Sequence, residues 1–200
     1  MRWLSLFIVS IFLYGCAQPQ PDDVNNICQM FKQYPKWYWA AQDVQTRWKV
    51  PISVQMAILH QESRFNAIAK PPRTKILWII PWKRPSTAYG YTQALDMTWK
   101  RYKSSSGNTF ASRNNFDDAV DFIGWYAYQA HRKAGIARDD AYRLYLAYHE
   151  GVGGYKRKTY LSKPWLVNVA RKVKRRASLF HTQLVSCENS LRSKPWWRFW

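Results

Sequence analysis

The chain has 200 residues, with 31 Lys and Arg against 12 Asp and Glu, a formal charge of +19 and an isoelectric point of about 10.1. Hydrophobic residues make up 47% and aromatic residues 17%, enough for a full core. Disorder away from the ends is therefore excluded, and one domain of ordinary size is expected. The charge calls for an anionic partner, without choosing among nucleic acid, an acidic membrane surface and an acidic wall polymer.

The first element is a leader. Met1-Arg2 is a positive start, and residues 3–14 form an apolar stretch too short for a typical transmembrane helix. It runs into Leu13-Tyr14-Gly15-Cys16, followed by the polar run Gln18-Pro-Gln-Pro-Asp-Asp23. This resembles a bacterial lipoprotein signal. The resemblance implies a signal peptide over residues 1–15, cleavage before Cys16, acylation of Cys16, and a spacer over residues 16–24. Ala17, rather than Asp, follows the cysteine, which implies an outer-membrane lipoprotein facing the periplasm of a Gram-negative bacterium. The alternative is a secretory leader with an incidental cysteine. Export removes most of the case for nucleic acid. With Cys16 acylated, Cys28 and Cys187 remain as an even pair in an oxidising compartment. A disulfide between them is expected, against the alternative of two buried thiols. In the chain-entropy view a loop this long stabilises by on the order of 4–5 kcal/mol. CxxC and CxxH spacings are absent and the four histidines are scattered, so no metal and no cofactor is expected.

Residues 24–48 read as helical, broken near Pro35. Pro51 suits the first turn of the next helix, Ile52-Ser-Val-Gln-Met-Ala-Ile-Leu-His-Gln-Glu62. Residues 67–87 are proline-punctuated, aromatic and basic, which excludes a long regular helix and leaves a loop or a hairpin. Residues 93–103 are expected to be helical. Asn115 reads as an N-cap followed by acidic residues, for a helix that stops at Gly135. A helix over residues 138–150 should end at Gly151. Pro164 opens the last long helix, with Leu166, Val169, Val173, Ala177, Phe180 and Leu184 as its apolar stripe and a row of Lys and Arg on the rest. Residues 188–200 form a basic, Trp-rich tail. Strand signals are weak, so the fold class is mainly α, with a core domain over residues 25–187.

Glu62 is one of only three glutamates, with Glu150 and Glu188. On a helix it lines up with Val54 and Ile58, so its carboxyl leaves the face that enters the core. Apolar surroundings raise a carboxyl pKa, and a protonated carboxyl near neutral pH is a general acid. The alternative is a partly buried glutamate paired with one of the many cations.

Three segments fall in order: Gln61-Glu62-Ser63-Arg-Phe-Asn66, Ala88-Tyr89-Gly90-Tyr-Thr-Gln93, and Ala147-Tyr148-His149-Glu150-Gly151. They resemble the motifs of the SLT-type lytic transglycosylases, over roughly residues 38–180. The resemblance implies a goose-type lysozyme-like helical fold and a peptidoglycan substrate. It makes Glu62 the acid/base and Ser63 a support or substrate contact. Gly90, Tyr91 and Gln93 shape the cleft and bind sugar, and Tyr148 orients Glu62. The chain departs from the family pattern at Tyr91-Thr92, where an apolar pair is usual, and at His149, where Asn is usual. The long interval between Glu62 and Gly90 marks residues 67–87 as an aromatic-basic insertion. Its Trp78 and Trp82 either line a glycan groove or pack as a surface excursion.

The implied reaction needs one carboxyl group. Glu62 protonates the β-1,4 bond between N-acetylmuramic acid and N-acetylglucosamine, then deprotonates the muramyl 6-hydroxyl to close a 1,6-anhydro ring. A goose-type hydrolase would need a second carboxylate, for which Asp96 and then Glu150 are the candidates. A silent peptidoglycan-binding lipoprotein is the non-enzymatic alternative. The tail, Arg192-Ser-Lys-Pro-Trp-Trp-Arg-Phe-Trp200, suits a lipid interface, but packing on the domain or disorder would also account for it.

Overall fold

Trp37 and Phe116 stack face to face at 3.9 Å, and the helices that carry them frame the domain. The computed structural model describes residues 18–73, 75–76, 80–81 and 85–192. Its elements run α1 (Ile27–Gln33), α2 (Pro35–Trp48), α3 (Ile52–Ser63), β1 (Lys75–Ile76), β2 (Ile80–Pro81), α4 (Asp96–Ser106), α5 (Phe116–Ala134), α6 (Ala141–Lys156), a 3-10 turn (Thr159–Ser162) and α7 (Pro164–Leu191). The mainly helical reading holds. The leader with Cys16, the insertion's Trp78 and Trp82, and residues 193–200 of the tail lie outside the described residues. Among the described residues no helix is long and apolar enough to cross a membrane.

The helix ends follow local chemistry. Pro35 and Pro164 occupy first turns, where a missing N–H costs nothing. Asn115 accepts from the Asp118 N–H at 3.1 Å, and Asp140 accepts from the Arg143 N–H at 3.0 Å. Two boundaries differ from the sequence expectation. The helix expected from residue 93 starts at Asp96, because Gln93 sits at φ 50° inside a turn closed by a Tyr89–Ala94 bridge. The helix expected from residue 138 starts at Ala141; it breaks at Gly151 as expected, where φ 71°, ψ 155° is a conformation essentially reserved for glycine, and a second helical stretch runs on to Lys156.

α3 is the axis of the domain. Every residue from Ile52 to Leu59 is buried, so α3 packs on all sides instead of on the single apolar face its spacing suggested. α2, α5, α6 and α7 surround it. Gln55, fully buried, donates to the carbonyls of Ala41 and Val50 at 3.1 and 2.8 Å, which satisfies its amide N–H groups inside the core. At the other end of the chain, Cys28 in α1 is bonded to Cys187 in α7, closing a loop of sequence separation 159. Gln183 reinforces the join, accepting from the Ile27 N–H at 3.0 Å and donating to the Asn25 carbonyl at 3.2 Å.

Candidate active site

α3 ends in two successive left-handed residues, Arg64 (φ 52°) and Phe65 (φ 63°). This conformation is costly for a bulky side chain. It is held by burial: Phe65 is 0% exposed, 5.9 Å from the Trp37 ring. The turn stops the helix one residue after Glu62 and leaves that carboxyl at the floor of a cleft of about 580 Å³. The other walls are Gln93 and Leu95 from the turn, Phe122 and Tyr126 from α5, and Tyr148 to Gly151 from the α6 kink.

The walls are aromatic and locked. Tyr126 and Tyr148 meet edge to face at 4.9 Å, with Phe122 6.2 Å from Tyr148. The Tyr148 hydroxyl donates to the Thr92 carbonyl at 2.7 Å, and the Tyr126 hydroxyl donates to the Ala147 carbonyl at 2.6 Å. The first bond ties α6 to the 90–94 turn and the second ties it to α5, so the cleft is preorganised by side chain to backbone bonds.

Burial raises the pKa of Glu62 to about 7, and a hydrogen bond from the Tyr145 hydroxyl partly opposes the shift. Position in the last turn of α3 acts in the same direction as burial, because the terminal carbonyls repel a carboxylate. Glu62 therefore carries its proton up to neutral pH. Glu150 lines the same cleft and behaves in the opposite way. Lys163 Nζ and His149 Nδ1 sit 2.8 and 3.0 Å from its Oε1, and the Thr159 hydroxyl bonds its Oε2. These bonds, Lys163 first and Thr159 next, pull its pKa down to about 2.

The sequence candidates separate on this geometry. Gln93 and His149 line the cleft. The Gln93 amide is turned back onto the Ala69 and Gly90 carbonyls at 3.0 and 2.8 Å, so its N–H groups brace the turn. His149 is exposed, its ring 5.1 Å from Trp165. Gly90 does not line the cleft. It is buried at φ 71°, and a Cβ there would collide with the Arg113 carbonyl, so glycine is needed for the close approach of two backbones.

Two calls are corrected. Tyr91 is 0% exposed and packs on Trp37 and Phe116 at 5.8 and 5.7 Å, so it is core and cannot reach substrate. Ser63 lies outside the cleft lining and its hydroxyl turns back to the Leu59 carbonyl at 3.4 Å. Tyr148 lines the cleft beside Glu62 with its hydroxyl on the Thr92 carbonyl, and the hydroxyl that acts on the Glu62 carboxyl as a hydrogen-bond donor is that of Tyr145. Sequence reasoning did not single out Tyr145. Its signal was its position one turn before Tyr148 on the same face.

The hydrolase candidates fare no better. Asp96 is absent from the cleft lining and is paired with Arg113 at 2.8 Å. Arg113 also donates to the Thr87 and Ala94 carbonyls at 2.9 and 2.8 Å. Glu150 is present but its oxygens are occupied. Among the described residues no group of three or more His, Cys, Asp or Glu side chains is set to hold a metal ion.

No curated protein and no solved structure matches the chain. A family model does, the transglycosylase SLT domain, over residues 4–187. The match spans the end of α3, the 88–93 turn and the α6 kink, the three elements that build the cleft around Glu62. By this match the chain belongs to the transglycosylase SLT domain family.

Proposed function

We propose that the protein is a lytic transglycosylase of peptidoglycan, cutting the β-1,4 bond between N-acetylmuramic acid and N-acetylglucosamine and leaving 1,6-anhydromuramyl ends. The observation that carries this reading is the buried Glu62, its pKa raised to about 7 by burial, in a cleft whose other carboxylate is already spent on Lys163, Thr159 and His149. Glu62 donates its proton to the glycosidic oxygen as the bond breaks. The substrate's own acetamido group stabilises the positive charge growing at the anomeric carbon. Glu62, now a carboxylate, removes the proton from the muramyl 6-hydroxyl, whose oxygen closes the ring and regenerates the acid. Phe122, Tyr126 and Tyr148 give the cleft an aromatic wall that limits water at the anomeric centre.

The Tyr145 hydroxyl keeps the carboxyl oriented and eases formation of the carboxylate for the second step. A pKa near 7 suits a group that must act as acid and then as base, since both protonation states are then accessible. The lipoprotein signal around Cys16 would hold the enzyme at the outer membrane, facing the wall it cuts.

Digestion of purified sacculi by wild type and Glu62→Gln, with mass analysis of the fragments, tests the reading. Anhydro ends from wild type and no fragments from the variant are expected. Reducing ends would make the protein a hydrolase, with Glu150 the carboxylate to reconsider. Absence of any fragment from wild type, with retained binding to sacculi, would make it a wall-binding lipoprotein.

A further inference from the structure

Successive helical residues turn by about 100°, so Ala57, His60 and Gln61 leave α3 on a different face from Glu62. There they line a second groove, of about 470 Å³, whose other side is α7 with Lys172, Arg175, Arg176 and Leu179. Lys172 and Arg175 are exposed. Among the described residues, the ion pairs of Lys, Arg and His involve Arg47, Arg113, Arg143, His149, Lys163 and Arg192, and none of the groove's cations. Among the described residues, Arg64 and Asp23 are the charges that act on Arg176, with opposite signs.

Behind the groove lies an unsatisfied polar atom. The His60 ring sits edge-on between Phe65 at 6.0 Å and Phe180 at 6.1 Å, and its Nε2 is buried without a hydrogen-bond partner. Buried polar atoms are nearly always paired, and an orphan needs an explanation. Burial, Arg176 and Arg64 hold His60 neutral, with its pKa lowered to about 4. Lys172, Arg175 and Arg176 share one recess whose lining holds no carboxylate, which is the local chemistry of an anion site.

We propose that this groove binds carboxylates of an acidic peptide and, resting on the function proposed above, that the peptide is the stem carried by the glycan strand in the catalytic cleft. Arg175 and Arg176 offer planar forks that match a carboxylate bidentately, and Lys172 offers a point charge. Leu179 and Ala57 supply an apolar floor for small side chains. A lipid headgroup surface is the poorer match, because the cations rim a recess between two helices that a flat bilayer does not enter. Gln61 lines the groove and the next residue of α3, Glu62, lines the cleft.

Co-sedimentation of the full chain with sacculi, before and after enzymatic removal of the peptide stems, tests this. Wild type should bind stem-bearing sacculi about tenfold more tightly, the effect of one charge-assisted contact. The exposed double variant Lys172→Glu/Arg175→Glu should lose that preference, and Lys172→Ala/Arg175→Ala should reduce it if the reversed charges harm folding. Equal wild-type affinity for the two sacculi overturns the proposal, as does a preference unchanged in both variants. Competition by phosphatidylglycerol vesicles but not by soluble acidic stem peptides would also overturn it, in favour of a lipid surface. Binding needs no turnover. A wild type that prefers stems but cuts neither sacculus upholds the groove and sinks the transglycosylase reading; one that cuts both and binds them equally does the reverse.

Discussion

Glu62 and Glu150 share one cleft and differ in nearly everything else. Glu62 closes α3, the helix buried on every side, and has one hydroxyl donor, Tyr145. Glu150 sits at the α6 kink beside a lysine, a threonine and a histidine that all point at it. Burial dominates the first and raises its pKa to about 7; hydrogen bonds dominate the second and lower its pKa to about 2. The pair shows that a carboxylate's role is set by the donors folded around it. The acid that chemistry can use is the one left poorly solvated, and the well-bonded one is a brace.

The contrast breaks most sharply at Glu62. Glu62→Gln should lower kcat on sacculi at least about a thousandfold with the fold intact, since it removes both proton transfers, and fragment release against time measures it. Glu150→Gln should instead act through stability and position. It leaves Lys163 without its partner and frees His149, costing about 1–3 kcal/mol in a denaturant melt and roughly tenfold in kcat. A loss as deep as that of Glu62→Gln would mean the cleft works with two carboxylates.

The pH dependence should divide the same way. Above pH 7 the acid form of Glu62 is titrated away, and kcat/KM should fall about tenfold per unit. For stability the signs are opposite. The raised pKa of Glu62 makes the folded state the stronger proton binder, so its contribution is present below the unfolded value and is lost as pH rises through about 7. The depressed pKa of Glu150 makes its contribution present above the unfolded value and lost as pH falls through about 2. Thermal melts of Glu62→Gln across pH 5–8 should therefore be flatter than those of wild type. The smallest effect is at Tyr145→Phe: removing a donor that favours the carboxylate should move the alkaline limb of the rate profile upward by a fraction of a unit and lower kcat about threefold.

The order of helices, the prolines that open them and the asparagine cap at residue 115 were legible because each is a local rule. Three motifs in order singled out the elements that build the cleft. What the sequence hid depended on distant partners. Tyr145 looks like any buried tyrosine until α3 brings a carboxyl to its hydroxyl. Tyr91 sits inside a motif of cleft residues, yet the turn at Gly90 sends its ring into the Trp37–Phe116 stack. Glu150 is a candidate second carboxylate in the sequence, and only the fold shows the 159–163 turn placing Thr159 and Lys163 on it. The αL conformation of Phe65 violates the preference of its side chain and is imposed by packing alone.

The chain's three glutamates make the central comparison directly measurable. A carbon-13 NMR titration of protein labelled at the glutamate carboxyls, with the Glu62 signal identified by its loss in Glu62→Gln and the Glu150 signal by its loss in Glu150→Gln, reads both protonation states at once. The account predicts a Glu62 midpoint near 7 and a Glu150 midpoint near 2. A Glu62 carboxyl that titrates in the ordinary range near 4.5 would contradict it.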